Sequence, residues 1–295
     1  MLSYLQAIVI GFLQGFSELF PVSSLGHSVL VPAWLGWNNL VHAESGESFY
    51  LAFLVGLHVA TALALLWYFR AEWVRIIGGF ITTLRTRRIE TPSQRLAWLL
   101  VVATIPAGIM GLAFEHVLRT QFAKPLSAAI FLMVNGLILM AAERFRQRAE
   151  VRELAAITPQ TRSLAEPGRR LDTLSFKEAG VVGVAQIFAL IAGISRSGIT
   201  MAAGLARGLD HEDAARFSFL LATPIILAAG VYKIGDLTGP LGRGVRGQIL
   251  VGSICAAIGA YISVRFLVRW FHTRTLWPFA FYCLAAGAIS VIRFA

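Results

Sequence analysis

Six long runs of apolar residues, near 49–69, 96–113, 126–142, 214–234, 246–267 and 276–293, constrain this chain more than any other feature. A helix crossing a bilayer needs about 20 mainly apolar residues, and each run is close to that length. Across the 295 residues 57% are apolar and only 14% are charged, about half the usual share for a soluble domain. So much apolar surface needs lipid around it. The reading is an all-α integral membrane protein, residues 1–295 forming a single membrane domain.

Two further stretches are apolar but broken. The first, about 4–35, is interrupted by Glu18, Pro21, Ser23, Ser24, Gly26 and His27; the second, about 176–209, by Gly193, Ser195, Arg196, Ser197, Gly198 and Thr200. Neither half of either stretch is long enough to cross. Irregular backbone at membrane depth is tolerated only where protein or a water-filled cavity surrounds it. Each stretch is therefore expected to be a re-entrant helix-loop-helix hairpin.

An offset of 172 residues carries Gly11 onto Gly183, Gln14 onto Gln186, Ser23 onto Ser195 and Gly26 onto Gly198. Three spans follow each broken stretch. This predicts two repeat halves, about 1–142 and 173–295, joined by a basic cytoplasmic loop 143–172. Segment 36–48 has no Lys or Arg, 114–125 has Arg119 and Lys124, 70–95 has six Arg, and 143–177 has seven Arg and Lys177. The positive-inside rule puts the two rich segments in the cytoplasm and the two poor ones outside. An odd number of spans per half makes the second half inverted, so the hairpins enter from opposite faces, as in many transporters. The net charge of +10 is accounted for by these short loops, and no basic, aromatic-interleaved surface is left for nucleic acid. The N-terminus lacks a basic region before its first apolar run and is not expected to be a cleaved signal peptide. Cys255 and Cys283 sit in apolar runs and read as buried free thiols.

The breaks carry the chemistry. Gln14 and Glu18 are four residues apart and share a helix face. Pro21 ends that helix, Ser23 and Ser24 stand where the next helix is capped, and His27 lies one turn further. In the second break Ser195 caps a helix with Arg196 in its first turn. A cation is unfavourable there unless an anion lies between it and the helix end. Ser195, Arg196, Ser197 and Thr200 therefore read as a phosphate cradle. A pairing of Arg196 with Glu18 inside the bundle is compatible with this. Glu18, with Gln14 as a neutral oxygen donor, suits a hard divalent cation such as Mg²⁺ or Ca²⁺. Ser24, His27 or a water is each compatible with attack on phosphorus. His58 and Asn135 read as helix-helix hydrogen-bonding residues, and Arg207, Asp210, Glu212 and Asp213 as a solvated loop and helix start. Arg243 and Arg246 lie on the outer side, within reach of a ligand phosphate.

The run QGFSELFPVSSLGH from Gln14 to His27 resembles the first signature of the bacterial undecaprenyl-diphosphate phosphatase (bacitracin-resistance) family: Glu or Gln, three residues, Glu, then Pro-x-Ser-Ser-x-x-His. GISRSGIT, from Gly193 to Thr200, resembles its second, and RFSFLLATP, from Arg216 to Pro224, is also similar. The resemblance covers nearly the whole chain. It implies hydrolysis of undecaprenyl diphosphate to undecaprenyl phosphate and inorganic phosphate. That reaction recycles the lipid carrier of cell-wall synthesis and confers bacitracin resistance. It also implies a divalent cation and a multi-pass place in the cytoplasmic (inner) membrane, with the active site facing the periplasm or cell exterior. The polyprenyl diphosphate lipid and membrane lipid are the implied partners, and a homodimer is compatible with it. The family's functional positions carry over to Gln14, Glu18, Ser24, His27, Ser195, Arg196, Ser197 and Thr200. Ala192 stands where the family has Pro, and Leu25 where Thr is usual. The competing reading, from the inverted repeat, is a transporter or flippase of a polyprenyl phosphate lipid.

Overall fold

The first helix starts at a capping box. Ser3 Oγ accepts from Gln6 N at 3.1 Å, and Gln6 Oε1 accepts from Ser3 N at 2.9 Å. Helix α1 then runs Tyr4–Leu19 and stops two residues short of Pro21. In this computed structural model residues 2–37, 40, 49–122, 124–156, 168–232, 235, 239 and 244–295 are described. They form α2 (Ser24–Trp34), α3 (Phe49–Tyr68), α4 (Arg70–Thr86), α5 (Pro92–Phe122), α6 (Pro125–Ala156), α7 (Phe176–Ala185), α8 (Arg196–Ala206), α9 (His211–Tyr232), α10 (Arg246–Phe271) and α11 (Trp277–Phe294). A 3₁₀ turn, Gln186–Leu190, extends α7 toward the second break. Among the described residues there is no sheet, only the single bridge between Arg169 and Leu209.

Five helices, α5, α6, α9, α10 and α11, contain stretches long and apolar enough to cross a membrane. Helices α3 and α4, bent by 88° at their junction, supply a sixth such segment. The six apolar runs of the sequence fall on these elements. Only 22% of the apolar window of α11 is buried inside the protein, and Ile292 is 83% exposed. Leu63, Trp67, Leu137, Leu250 and Phe281 also face outward. Water would not tolerate such a surface. The protein is a multi-pass membrane protein.

Segment 70–95 differs from the expected loop. Most of it is α4, which turns aside from α3 and carries Arg70, Arg75 and Arg85. Helix α5 continues through 114–122, and α6 through 143–156. Charged residues extend a helix once it leaves the apolar layer, because Arg and Glu are good helix formers. Most of 36–48, the rest of the joining loop from 157 to 167, and Arg243 lie outside the described residues.

Small residues let the helices approach. Gly11 and Gly15 of α1 press on Gly252, Ala256 and Ala260 of α10, and Gly183 of α7 presses on Ala103 of α5. Gly136 of α6 meets Ala280 and Cys283 of α11. Van der Waals fit of this kind holds helices together where lipid is as apolar as the side chains. Gly11 and Gly183, matched by the 172-residue offset, each rest on a helix of the opposite half. Cys283 is buried as expected, but Cys255 is only partly buried. Asp213 is not solvated: it is 7% exposed and accepts from Leu171 N at 2.6 Å, pinning the chain that leads into α7.

Candidate functional site

The two breaks meet. Ser23, at φ 70°, caps α2 by accepting from Gly26 N at 3.1 Å, and its Oγ also accepts from Gly193 N at 3.2 Å. Gly26 is required here: a Cβ on it would stand 2.9 Å from Gly193 Cα. Gly193 has φ +106°, a conformation that favours glycine. Across the same contact Ser197 Oγ donates to Phe20 O at 3.0 Å, and Ser195 Oγ reaches Phe20 O at 3.5 Å. Asn135 of α6 donates to Pro21 O and accepts from Ser195 N, both at 2.9 Å. Broken helices leave backbone groups without partners, and these side chains supply them.

Glu18, in the last turn of α1 and 6% exposed, is the centre of the cluster. Its Oε1 accepts from Arg196 Nη2 at 2.8 Å. Its Oε2 accepts from Gln14 Nε2 at 3.0 Å and from Ser24 Oγ, and lies 3.3 Å from His58 Nε2. The anion that excuses a cation in the first turn of α8 is thus this carboxylate. Two buried polar atoms beside it have no hydrogen-bond partner: Gln14 Oε1 and Arg196 Nη1. Leaving such atoms unpaired costs about 1–3 kcal/mol each, so both are open to a ligand's donors and acceptors.

The other expected residues take different places. His27 faces away from Glu18. Its Nδ1 lies 2.7 Å from Ser23 O, its Nε2 lies 2.7 Å from Tyr282 Oη, and the rings stack at 5.7 Å. A carbonyl can only accept, so Nδ1 donates to it and the Tyr282 hydroxyl donates to Nε2. Ser195 and Ser197 lie at the junction of the breaks. Thr200 Oγ1 donates to Arg196 O at 2.7 Å, one turn back along α8. The geometry therefore brings Gln14, Glu18, Ser24 and Arg196 to one point, with the hydroxyls of Ser195 and Ser197 at the junction of the breaks, Thr200 on the Arg196 carbonyl and His27 on Tyr282.

The sequence predicts His58 as a helix-helix hydrogen-bonding residue; in the structure it belongs to this cluster. The rule that polar residues in spans mark functional sites applied to it, but its partner depends on how α3 leans across α1. Tyr282, half-exposed among the aromatics of α11, gave no signal.

A family model described as "Bacitracin resistance protein BacA" matches residues 7–289. The chain belongs to the bacitracin resistance family. Both breaks and every residue of the buried cluster lie within the part that matches this family. The chain is 57% identical to "Undecaprenyl-diphosphatase 2" of Frankia alni, covering 100% of this chain and 98% of the relative. It is 56% identical to "Undecaprenyl-diphosphatase" of Mycolicibacterium paratuberculosis, covering 99% and 97%. It is 42% identical to "Undecaprenyl-diphosphatase 2" of Chromobacterium violaceum, covering 98% of each. The two departures from the family pattern leave the cluster intact: Ala192 is buried, and Leu25 packs against the hydrophobic core.

Proposed function

We propose that the protein hydrolyses undecaprenyl diphosphate to undecaprenyl phosphate and inorganic phosphate. It would thereby recycle the lipid carrier of cell-wall synthesis and confer bacitracin resistance. The observation that carries the reading is that Ser24 Oγ and Arg196 converge on one buried carboxylate, Glu18, with Arg196 Nη1 still unpartnered. The relatives' names supply the substrate.

In this reading Arg196 Nη1 binds an oxygen of the terminal phosphoryl group, and the N-terminal end of α8 adds to its stabilisation. Ser24 Oγ attacks the terminal phosphorus while its proton passes to Glu18 Oε2. The bond from that phosphorus to the bridging oxygen breaks, and undecaprenyl phosphate leaves. A water then attacks the phosphoserine, releasing inorganic phosphate and returning the proton to Ser24. Ser24 is favoured over His27 because His27 spends both ring nitrogens on Ser23 and Tyr282. Ser195 and Ser197, bonded to Phe20 O, and Thr200, bonded to Arg196 O, would fix the first turn of α8 and with it the backbone that carries Arg196. Where charge stabilisation and positioning dominate, as in phosphoryl transfer, such rigidity matters most.

A divalent cation, Mg²⁺ or Ca²⁺, fits the cluster. Gln14 Oε1 is a buried oxygen without a partner, and Glu18 is a carboxylate beside it. Mg²⁺ is commonly held by one or two carboxylates plus substrate phosphates. Gln14 and Glu18 would hold it, and it would neutralise charge on the diphosphate. We place the protein in the cytoplasmic (inner) membrane with the site open to the exterior or periplasm, from the charge asymmetry of its segments. A homodimer accords with the sequence, and sizing of the purified protein would read it.

The test is phosphate release from undecaprenyl diphosphate by the purified protein in nanodiscs with a divalent cation. Release that Glu18→Gln abolishes and Arg196→Lys cuts by about 10²-fold or more supports the reading. Lipid translocation in proteoliposomes without phosphate release would replace it with the flippase.

A further inference from the structure

We infer that the C-terminal end of α10 carries a groove for one anionic phospholipid, with the lipid phosphate on Arg265, Arg269 and Arg274. The inference is independent of the catalytic reading. Only the assignment of the lipid to the cytoplasmic leaflet rests on the orientation proposed above.

Helix periodicity builds the groove. Arg246 opens α10, and the next charged residue along it is Arg265. A rise of 1.5 Å per residue sets the two about 28 Å apart, close to the thickness of the hydrocarbon layer. Arg265 therefore stands at the far edge of that layer, and Arg269, one turn on, is level with the headgroups. Tyr261, Arg265 and Arg269 are spaced by four and form one row; Ile262, Phe266 and Trp270 form the row beside it. Past Phe271 the chain turns, with Arg274 N donating to Trp270 O at 2.9 Å, and the Arg274 guanidinium lies 6.0 Å from the Trp270 ring centre. Together with Thr273 these residues line an open groove of about 620 Å³.

The charge in the groove is uncompensated. All three arginines are exposed, and among the described residues none of them is paired with a carboxylate. Other cations at this end of the bundle do have one: Arg216 bonds to Glu72, and His272, just past α10, takes Glu212 at 2.6 Å. The positive-inside rule accounts for arginines in this segment, but it does not require three of them to line one groove without a counter-charge. Guanidinium forks match the oxygens of a phosphate. A basic pocket beside a spanning helix on the cytoplasmic side suits an anionic lipid headgroup.

The apolar row supplies the rest of the lipid's site. Its floor is fixed: the Phe266 ring stacks on Phe20 at 5.9 Å, and Trp270 lies 5.6 Å from Phe266 and 5.9 Å from Phe279. Back from Phe266 at the same four-residue spacing come Ile262, Ile258, Ile254 and Leu250, which are 51, 48, 52 and 63% exposed. This stripe runs for roughly 24 Å, more than the half-thickness that an acyl chain of one leaflet fills. A free phosphate would leave the stripe unused, and a neutral lipid would leave the arginines unpaired. An anionic phospholipid serves both.

The experiment is native mass spectrometry of the full chain released from nanodiscs of mixed phosphatidylglycerol and phosphatidylcholine. Phosphatidylglycerol should be retained over phosphatidylcholine by about tenfold or more, and the preference should shrink as salt is raised. The triple variant Arg265→Gln, Arg269→Gln, Arg274→Gln should lose it with an unchanged melting temperature. Arg85→Gln, Arg87→Gln, Arg88→Gln, which removes the same charge beyond the end of α4, should keep it. In the wild-type protein, phosphatidylglycerol with a photoreactive group in its acyl chain should crosslink to α10 between Leu250 and Phe266. Equal retention of the two lipids, or a preference that survives the first triple variant, overturns the inference. So does displacement of the lipid by inorganic phosphate, which would make the groove a site for small anions. Crosslinks confined to other helices also overturn it, whether or not the variants fold.

Discussion

Arg196 Nη2 donates to Glu18 Oε1 at 2.8 Å, joining residues 178 positions apart in the chain. Each belongs to one of the two broken stretches, and each sits at a helix end that faces the other. Glu18 is buried and Arg196 half-buried, so neither readily tolerates the loss of its partner in isolation.

Removing one charge leaves the other unpaired. Glu18→Ala should therefore lose activity and also stability, by about 3–5 kcal/mol. Glu18→Gln retains the hydrogen-bonding shape and should keep more of the fold. Arg196→Lys preserves charge but loses the planar fork, and should cut phosphate release by about 10²-fold or more while the melting temperature changes little. Equal losses of stability and activity in Arg196→Lys would place this arginine in the scaffold instead.

Trapping the phosphoryl enzyme separates the nucleophiles. Rapid acid quench after mixing with labelled undecaprenyl diphosphate should give an acid-stable phosphoserine at Ser24, and Ser24→Ala should abolish it. An acid-labile label on His27 would contradict the proposed step.

Asn135 serves both breaks at once, donating to Pro21 O and accepting from Ser195 N. Asn135→Leu leaves Ser195 N unsatisfied, at about 1–3 kcal/mol, and Pro21 O with only the weak Cys283 Sγ donor. We expect a lower melting temperature and reduced turnover with the substrate KM nearly unchanged. Unchanged stability would mean that water replaces the amide.

On the rim of the protein, Arg169 Nη1 donates to Glu178 Oε1 at 2.7 Å, and Ser175 N and Oγ donate to Glu178 Oε2 at 2.8 and 2.7 Å. The Arg169 bond and the cap together hold the Glu178 carboxyl down to about 2. A depressed carboxyl stabilises the fold above its unfolded pKa of about 4.3, and the contribution disappears as pH falls toward 2. The pair is partly exposed, so its size stays under about 1 kcal/mol. Hydrogen-exchange protection across 168–178, taken relative to the intrinsic rate at each pH, should fall between pH 4 and 2, and Glu178→Gln should remove that acid dependence. A variant that keeps the acid response would assign it to another carboxyl.

The segments that become helices were legible because lipid demands uniform apolarity over a set length, and such runs are visible one residue at a time. The breaks were legible for the converse reason: Pro21, Gly193 and clustered hydroxyls interrupt otherwise apolar stretches. Helix ends beyond the lipid were not, since a charged segment such as 70–86 can be loop or helix without any change in composition.

The sequence by itself singled out Gln14, Glu18, Ser24 and Arg196 as candidate reactive groups, because polar side chains are costly in an apolar layer. Only the tertiary structure decided which of them touch. Burial lets each hydrogen-bonding atom find a single partner, and that choice depends on helix packing. It turned Ser24 toward Glu18, tied His27 to Tyr282, and brought His58 from a separate helix to the carboxylate at the centre of the site.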